Sequence, residues 1–526
     1  MLWAAWFGCA TVEPEAEIPA AEAVRRLTRV SLDLRGVRPT EAEIARVEAD
    51  PAVLEELTEE FVADERFFAH LVQLYHEIYL SETEGIDLRP SNIPFDNSKA
   101  FYWEVGQEPL QVIGQIARED LPYTEVVLGD WTMANEHLAQ LFPVEWEEGQ
   151  TGWHKTRYED GRPAGGVLAT NGLWWRYTTT EANANRRRAN AVSRILVCHD
   201  YLDRPIVFSE DIPLTDDAAI RDAVSNDPAC IGCHATLDPI AANLFGFYWS
   251  NFTSPTEGSS YHAAKETQWE SLLGVRPGWA GRPIEGFVEL GPAIAADPRF
   301  AACAVEQAFS LMTRTDPDLL DRAALIRLTD GFVVDGLRIR GLYTAIVREP
   351  TYLGESATDV EPRLMRPDVM GTAVYALTGF EWETQGVSVL LTDAFGMRGL
   401  AGGVEGVLIK QPALSPSSTV LMVMEALAEE ASAYAVVTEA ALPADERTLF
   451  REIDFTETPD TDRDAMVAQV QALHLRVLSQ RVAADGEQVA ATLALWESLY
   501  AIEGDVPRAW RGVLTALLRD PTFLMY

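Results

Sequence analysis

Cysteine is scarce in this chain: its 526 residues carry only Cys9, Cys198, Cys230, Cys233 and Cys303. That is too few for a disulfide scaffold, so the fold must rest on an apolar core. Long apolar runs are missing too. No stretch reaches the roughly 18 residues that a membrane span needs. Basic residues are in deficit, 42 against 81 acidic, for a net charge of −39. Such a surface repels phosphate backbones and anionic membranes, which argues against nucleic acid and favours a cationic partner. The short periods of solenoids are absent as well. With 47% apolar and 23% charged residues, the chain falls among ordinary folded proteins, long enough for two to four domains.

What is present is mostly helical. Thr40 and Glu43 form a capping box, Pro51 is placed to open the next helix, and Asp64 to cap a third. Residues 106–142 are expected to give two more helices, and 142–166 short strands or a loop. Helix is expected again at 181–200, followed by an irregular stretch over 250–290. From Gly291 the helices return, with strongly capped ones at 415–440 and 462–478. "GLYTAIVREPTYL" (341–353) and "GVLTALLRDPTFL" (512–524) share seven of 13 positions, each an apolar helix stopped by an acid and proline before an aromatic. "ADERFF" (63–68) and "ADPRFA" (296–301) are weaker echoes. The expected fold is mainly α and multi-helical, with two helical modules and an irregular, loop-rich segment between elements of the first. Its divisions are a tether (1–22), an N-terminal helical region (23–105), a central module (106–353) and a C-terminal module (364–526), with 354–363 as the hinge.

Two of the scarce cysteines stand three apart in "DPACIGCHATLDPI", with His234 directly after Cys233. C-x-x-C-H is the attachment signature of a c-type haem. Thiols three apart lie on one side of a helical turn, and the adjacent imidazole meets the iron. Zinc would need four ligands, and no second Cys/His pair of comparable spacing exists. Thiol redox chemistry would want a βαβ setting, and chance occurrence is the remaining alternative. On the haem reading, Cys230 and Cys233 hold one haem c and His234 is an axial iron ligand. The sixth ligand is sought at His262 or Met312 downstream, or His199 upstream. A methionine would raise the potential and a histidine lower it.

Haem propionates want cations. Arg176, Arg186, Arg187, Arg188 and Arg194 cluster with Glu181 as the one acid among them. The expectation is that one or two of Arg186, Arg187 and Arg188, with Arg187 and Arg188 foremost, face the propionates. Trp174, Trp175, Phe247 and Trp249 are candidates for lining a haem pocket, whereas His474, on an apolar helical stripe, reads as a core residue. Haem c is attached outside the cytoplasm. "MLWAAWFGCATVEPEAEIPAAEA" agrees: a short apolar stretch, then Gly8 and Cys9, resembles the end of a bacterial lipoprotein signal, with Cys9 lipidated and anchored to membrane by lipid alone. In that oxidising compartment the two cysteines left over, Cys198 and Cys303, are expected to form a disulfide.

Several blocks carry a family resemblance. "DPACIGCHATLDPIAANLFGFY" resembles the signature of planctomycete-type cytochrome c-like proteins, in which C-x-x-C-H is followed by Asp-Pro-Ile, here Asp238, Pro239 and Ile240. "RLTRVSLDLRGVRPTEAEI", "YTEVVLGDWTMANEHLAQLF" and "DPRFAACAVEQAFSLMTR" are similar to other blocks of that family. The resemblance implies an envelope-located, mainly helical bacterial protein with a haem on Cys230, Cys233 and His234, and names no reaction. The expected task is electron transfer to a redox partner with a basic docking face. The alternatives are a haem-dependent oxidoreductase of unknown substrate and a non-redox surface protein.

Overall fold

The computed structural model describes residues 19–83, 98–203, 217–247, 260–353, 362–393 and 395–526. Cys9, Trp249 and most of the expected tether and hinge lie outside the described residues. The described chain is mainly α-helical, and its strands form three two-stranded antiparallel sheets. No helix among the described residues is long and apolar enough to cross a membrane.

Local chemistry sets most helix ends. The first helix, Ala20–Arg35, stops where Gly36 turns to φ +68° and its N–H closes on the Leu32 carbonyl. Thr40 and Glu43 make the reciprocal capping box for Glu41–Ala49. The next helix, Val53–Val62, begins two residues past Pro51. Asp64 caps Glu65–Tyr79 and Asp297 caps Pro298–Thr313, each accepting from the N–H two residues on. In both, the arginine at that second position folds back onto the capping acid, and the next residue, Phe67 or Phe300, is buried. The weak echo between 63–68 and 296–301 is thus one device used twice. The longer repeat also folds alike. Ile339–Arg348 runs into the short helix Pro350–Leu353, and Val506–Leu518 into Pro521–Leu524, with Tyr352 and Phe523 both fully buried.

One apolar cluster gathers residues from Ala23 to Tyr352, and a second gathers Leu364 to Leu524. The first helix serves both, giving Leu27, Val30 and Leu34 to one and Leu32 to the other. Asp33 on that helix, 1% exposed, accepts from Tyr352 at 2.7 Å, from Arg363 at 2.8 Å and from Tyr526 at 2.5 Å. Further polar ties join the two units. Arg366 bonds Glu77 at 3.0 Å and the Leu311 carbonyl at 2.7 Å, and Arg398 bonds Glu82 at 2.9 Å.

Ser98–Arg118 is one continuous helix across the expected division between 105 and 106; its second half, from Leu110 to Ala117, packs in the first core, while Phe101 and Val105 belong to a small separate cluster with Trp175. Of the two helices expected over 106–142, the first is the second half of that helix. The remainder is the single turns Glu125–Leu128 and Glu136–Ala139 around a strand, Thr132–Ala134, which pairs with His154–Thr156.

Candidate functional site

The motif lies on the helix Pro228–Ala242. Asp227 caps it, accepting from the Ala229 N–H at 2.8 Å, and Pro228 takes the first helical position, where no N–H is missed. Pro239 sits inside the last turn, and Asn243 closes that end by donating from Nδ2 to the Pro239 carbonyl at 2.9 Å. Leu237, Ile240 and Ala241 are buried in the first core, while the first two turns, with Ile231 38% exposed, face outward. Cys230 and Cys233 are both half-buried free thiols one turn apart. Burial, reinforced by the negative charge of Asp227, pushes the Cys230 thiol up. A protonated thiol is a poor redox nucleophile, which argues against a thioredoxin-like role.

His234 is held from behind. Its Nδ1 lies 2.8 Å from Asp238 Oδ1, four residues on and therefore on the same helix face. Asp238, 3% exposed, also accepts Arg186 Nε at 2.8 Å and Nη2 at 2.9 Å in a forked pair. Burial favours the neutral acid, but the hydrogen bonds from His234 and Arg186 and the charge of Arg186 outweigh it and hold the carboxyl below the usual range. A carboxylate at Nδ1 fixes the proton there and leaves Nε2 as the lone-pair nitrogen, the arrangement that metal-binding histidines use. The Asp-Pro-Ile element thus has a structural reading: Asp238 orients His234, Pro239 lies in the last turn and Ile240 anchors the helix in the core. The histidine-to-acid spacing of four was the available sequence signal; Arg186 as the acid's other partner had none.

Beside the helix opens a cleft of about 390 Å³, lined by Thr236, Ile240, Ser193, His199, Trp279 and Arg299 among others. At 100° per residue, Cys233, Thr236 and Ile240 lie within about 60° of one another, so Cys233 shares the cleft face, with Cys230 between it and His234. Tyr201, also in the cleft, donates to Thr236 Oγ1 at 2.9 Å and packs edge-on with His199, ring centroids 4.6 Å apart. Burial raises the Tyr201 phenol, and Cys233 is close enough to add to the shift.

The disulfide Cys198–Cys303 spans the base of this region, with Cα atoms 5.3 Å apart. It joins the end of the helix Arg186–Val197 to Pro298–Thr313, so His199 follows directly on a cross-linked residue.

Three expectations are corrected. Arg188 is fully buried and does not face a ligand. It donates to the carbonyls of Tyr177 (2.7 Å), Phe247 (2.6 Å) and Trp174 (3.2 Å), closing turns that the chain brings together from both sides. Arg186 is committed to Asp238; only Arg187 of the three is exposed, its backbone N–H donating to Asn183 Oδ1 at 3.0 Å. Second, Trp174, Trp175 and Phe247 are at most 1% exposed and fill core. Their indole N–H groups are satisfied by the Leu168 carbonyl and Ser260 Oγ, both at 2.7 Å. Third, Met312 is 1% exposed in the core, and its carbonyl accepts Arg363 at the junction with the second unit. It lies 13 residues along its helix from Arg299 of the cleft, about 20 Å. His262 sits beyond the other end of the motif helix, its N–H on the Gly246 carbonyl at 2.7 Å. Of the three sixth-ligand candidates, His199 is the one in the cleft. His474 is 5% exposed in the second unit, bonded to Thr492 Oγ1 at 3.0 Å.

Among the described residues, no three His, Cys, Asp or Glu side chains are grouped closely enough to hold a metal ion between them. A zinc site therefore lacks its ligand set there, whereas a haem iron asks the protein for only one or two. The chain matches no family model, no curated protein and no solved structure.

Proposed function

We propose that this chain is a mono-haem c-type electron-transfer protein of the bacterial envelope, anchored by a lipid on Cys9. The observation that carries the reading is the set Cys230, Cys233 and His234 within five residues of one partly exposed helical stretch, with His234 braced by a buried carboxylate that itself holds Arg186. The thiols are free for thioether bonds, and Nε2 of His234 is the nitrogen left for iron. The cleft lies on the Cys233 side of the helix with His199 in its wall, while His234 stands at least about 100° further round the helix and neither thiol nor imidazole of the motif lines it. Haem bound at the motif would supply a one-electron Fe(II)/Fe(III) couple. The chain's contribution is to fix the imidazole and to set the polarity around it. A surface of net charge −39 suits a redox partner with a basic docking face, so docking weakens as salt rises.

The test is expression of the full chain with a c-type maturation system. The purified protein is expected to show a Soret band and to retain haem on a denaturing gel, and C230S/C233S to lose that covalent haem. Colourless wild-type protein would overturn the proposal.

A further inference from the structure

The first helix and the last residues of the chain border a second cavity, of about 420 Å³. In a chain with nearly twice as many acids as bases, its wall carries Arg25, Arg26, Arg29 and Arg38 against one acidic side chain, Glu22, and Arg29 also donates to the Tyr526 main-chain oxygen at 3.4 Å. Glu22 is already shared by Arg25 and Arg26. Arg38 is different: it is 7% exposed, and its terminal nitrogens reach only neutral acceptors, Ser479 Oγ at 3.4 Å and the carbonyls of Thr522 at 3.2 Å and Phe523 at 3.1 Å. Its Nε is buried with no partner, and no carboxylate pairs with it among the described residues. Burial lowers its pKa to about 10, opposed only by the more remote Asp520.

A buried guanidinium without a carboxylate is an expensive arrangement, offset in part here by the Phe523 ring, whose centroid lies 4.8 Å from its Cζ, and the uncompensated charge beside the cavity favours an anion there. The rest of the wall mixes the polar Thr28, Ser479, Gln480 and Thr522 with Pro362, Leu478 and Met525, and these last three can cover an apolar chain. We infer that this cavity binds an organic anion, a carboxylate on an apolar chain, with Arg38 as the anchoring cation and Leu478 and Met525 against the chain. This site is independent of the haem proposal and shares no residue with it.

The test is calorimetry on the full chain with decanoate below its micellar concentration, with methyl decanoate and sulfate as comparisons. Decanoate is expected to bind one-to-one and to raise the melting temperature. Methyl decanoate and sulfate should bind at least about tenfold more weakly, since each lacks one half of the recognised chemistry. R38M should weaken decanoate at least about tenfold, the loss expected when a charge-assisted hydrogen bond goes. Because Arg38 also holds the chain end, E22Q is the second variant: it removes the wall's acid, keeps Arg38, and should bind decanoate severalfold more tightly. No decanoate binding by wild type, sulfate binding as tight as decanoate, or E22Q binding no tighter than wild type would each overturn the inference.

Discussion

Asp238→Asn is the most informative perturbation of the motif region. Asn keeps the shape and one acceptor oxygen but removes the charge that three hydrogen bonds use: two from Arg186 at 2.8 and 2.9 Å and one from His234 at 2.8 Å. A hydrogen bond to a charged group contributes about 1.5–3 kcal/mol when buried. Arg186 and His234 keep 22% and 23% of their side-chain surface in water, which screens part of this. Allowing for the acceptor that Asn retains, the net cost is on the order of 2 kcal/mol at neutral pH. For a unit of this size that corresponds to a melting temperature lower by roughly 3 °C. The pH dependence gives a sharper signature. The Asp238 carboxyl is held below its ordinary range in the fold, so its stabilisation is complete above the unfolded value near ~4 and is lost as pH falls through the folded value. The gap between wild type and D238N should therefore be full at pH ~7 and close in strong acid. Thermal melts of both proteins, followed by near-ultraviolet circular dichroism across that range, measure it. A D238N melt equal to wild type at neutral pH, or a gap that stays constant into acid, would refute the reasoning. In haem-loaded protein the same change should raise the reduction potential, because the carboxylate no longer makes the imidazole more basic.

Breaking the Cys198–Cys303 bond frees a loop of sequence separation 105. C303S should cost about 3–5 kcal/mol in a denaturant melt, and reduction of wild type should reproduce it, because the Cys198 end is exposed. R188M leaves three buried carbonyls without their donor and should lower stability by at least about 3 kcal/mol; soluble yield and melting temperature check this, and an Arg187→Met control should change neither. H199A in haem-loaded protein should alter the visible spectrum and the potential while leaving covalent haem in place on a denaturing gel, whereas H262A and M312L should leave the spectrum unchanged.

Much of the helical framework was legible because its signals are local. The Thr40–Glu43 box, the caps Asp64, Ser417 and Asp462, and the proline that ends each repeat act within one turn of the chain. The pairing of Cys198 with Cys303 was legible by a different route, since so few cysteines leave few pairings. The four-residue step from His234 to Asp238 was in the sequence as well, once the segment is taken as helix.

The roles of the arginines were not. Arg186, Arg187 and Arg188 are identical residues in a row, yet one grips Asp238, one faces water and one ties together carbonyls from residues 174, 177 and 247. A sequence records charge but not burial, and the acceptors come from turns that meet only when the core closes. The tryptophans beside them became core for the same reason. The cavity around Arg38 is the extreme case, because its walls come from the two ends of the chain. By itself the sequence determined the helices, the cross-link pair and the cysteine–histidine turn, all set by neighbours within a few residues or by scarcity. Tertiary packing alone decided which cations are spent inside the protein and which remain for a partner, because desolvation and long-range contact choose among chemically equivalent side chains.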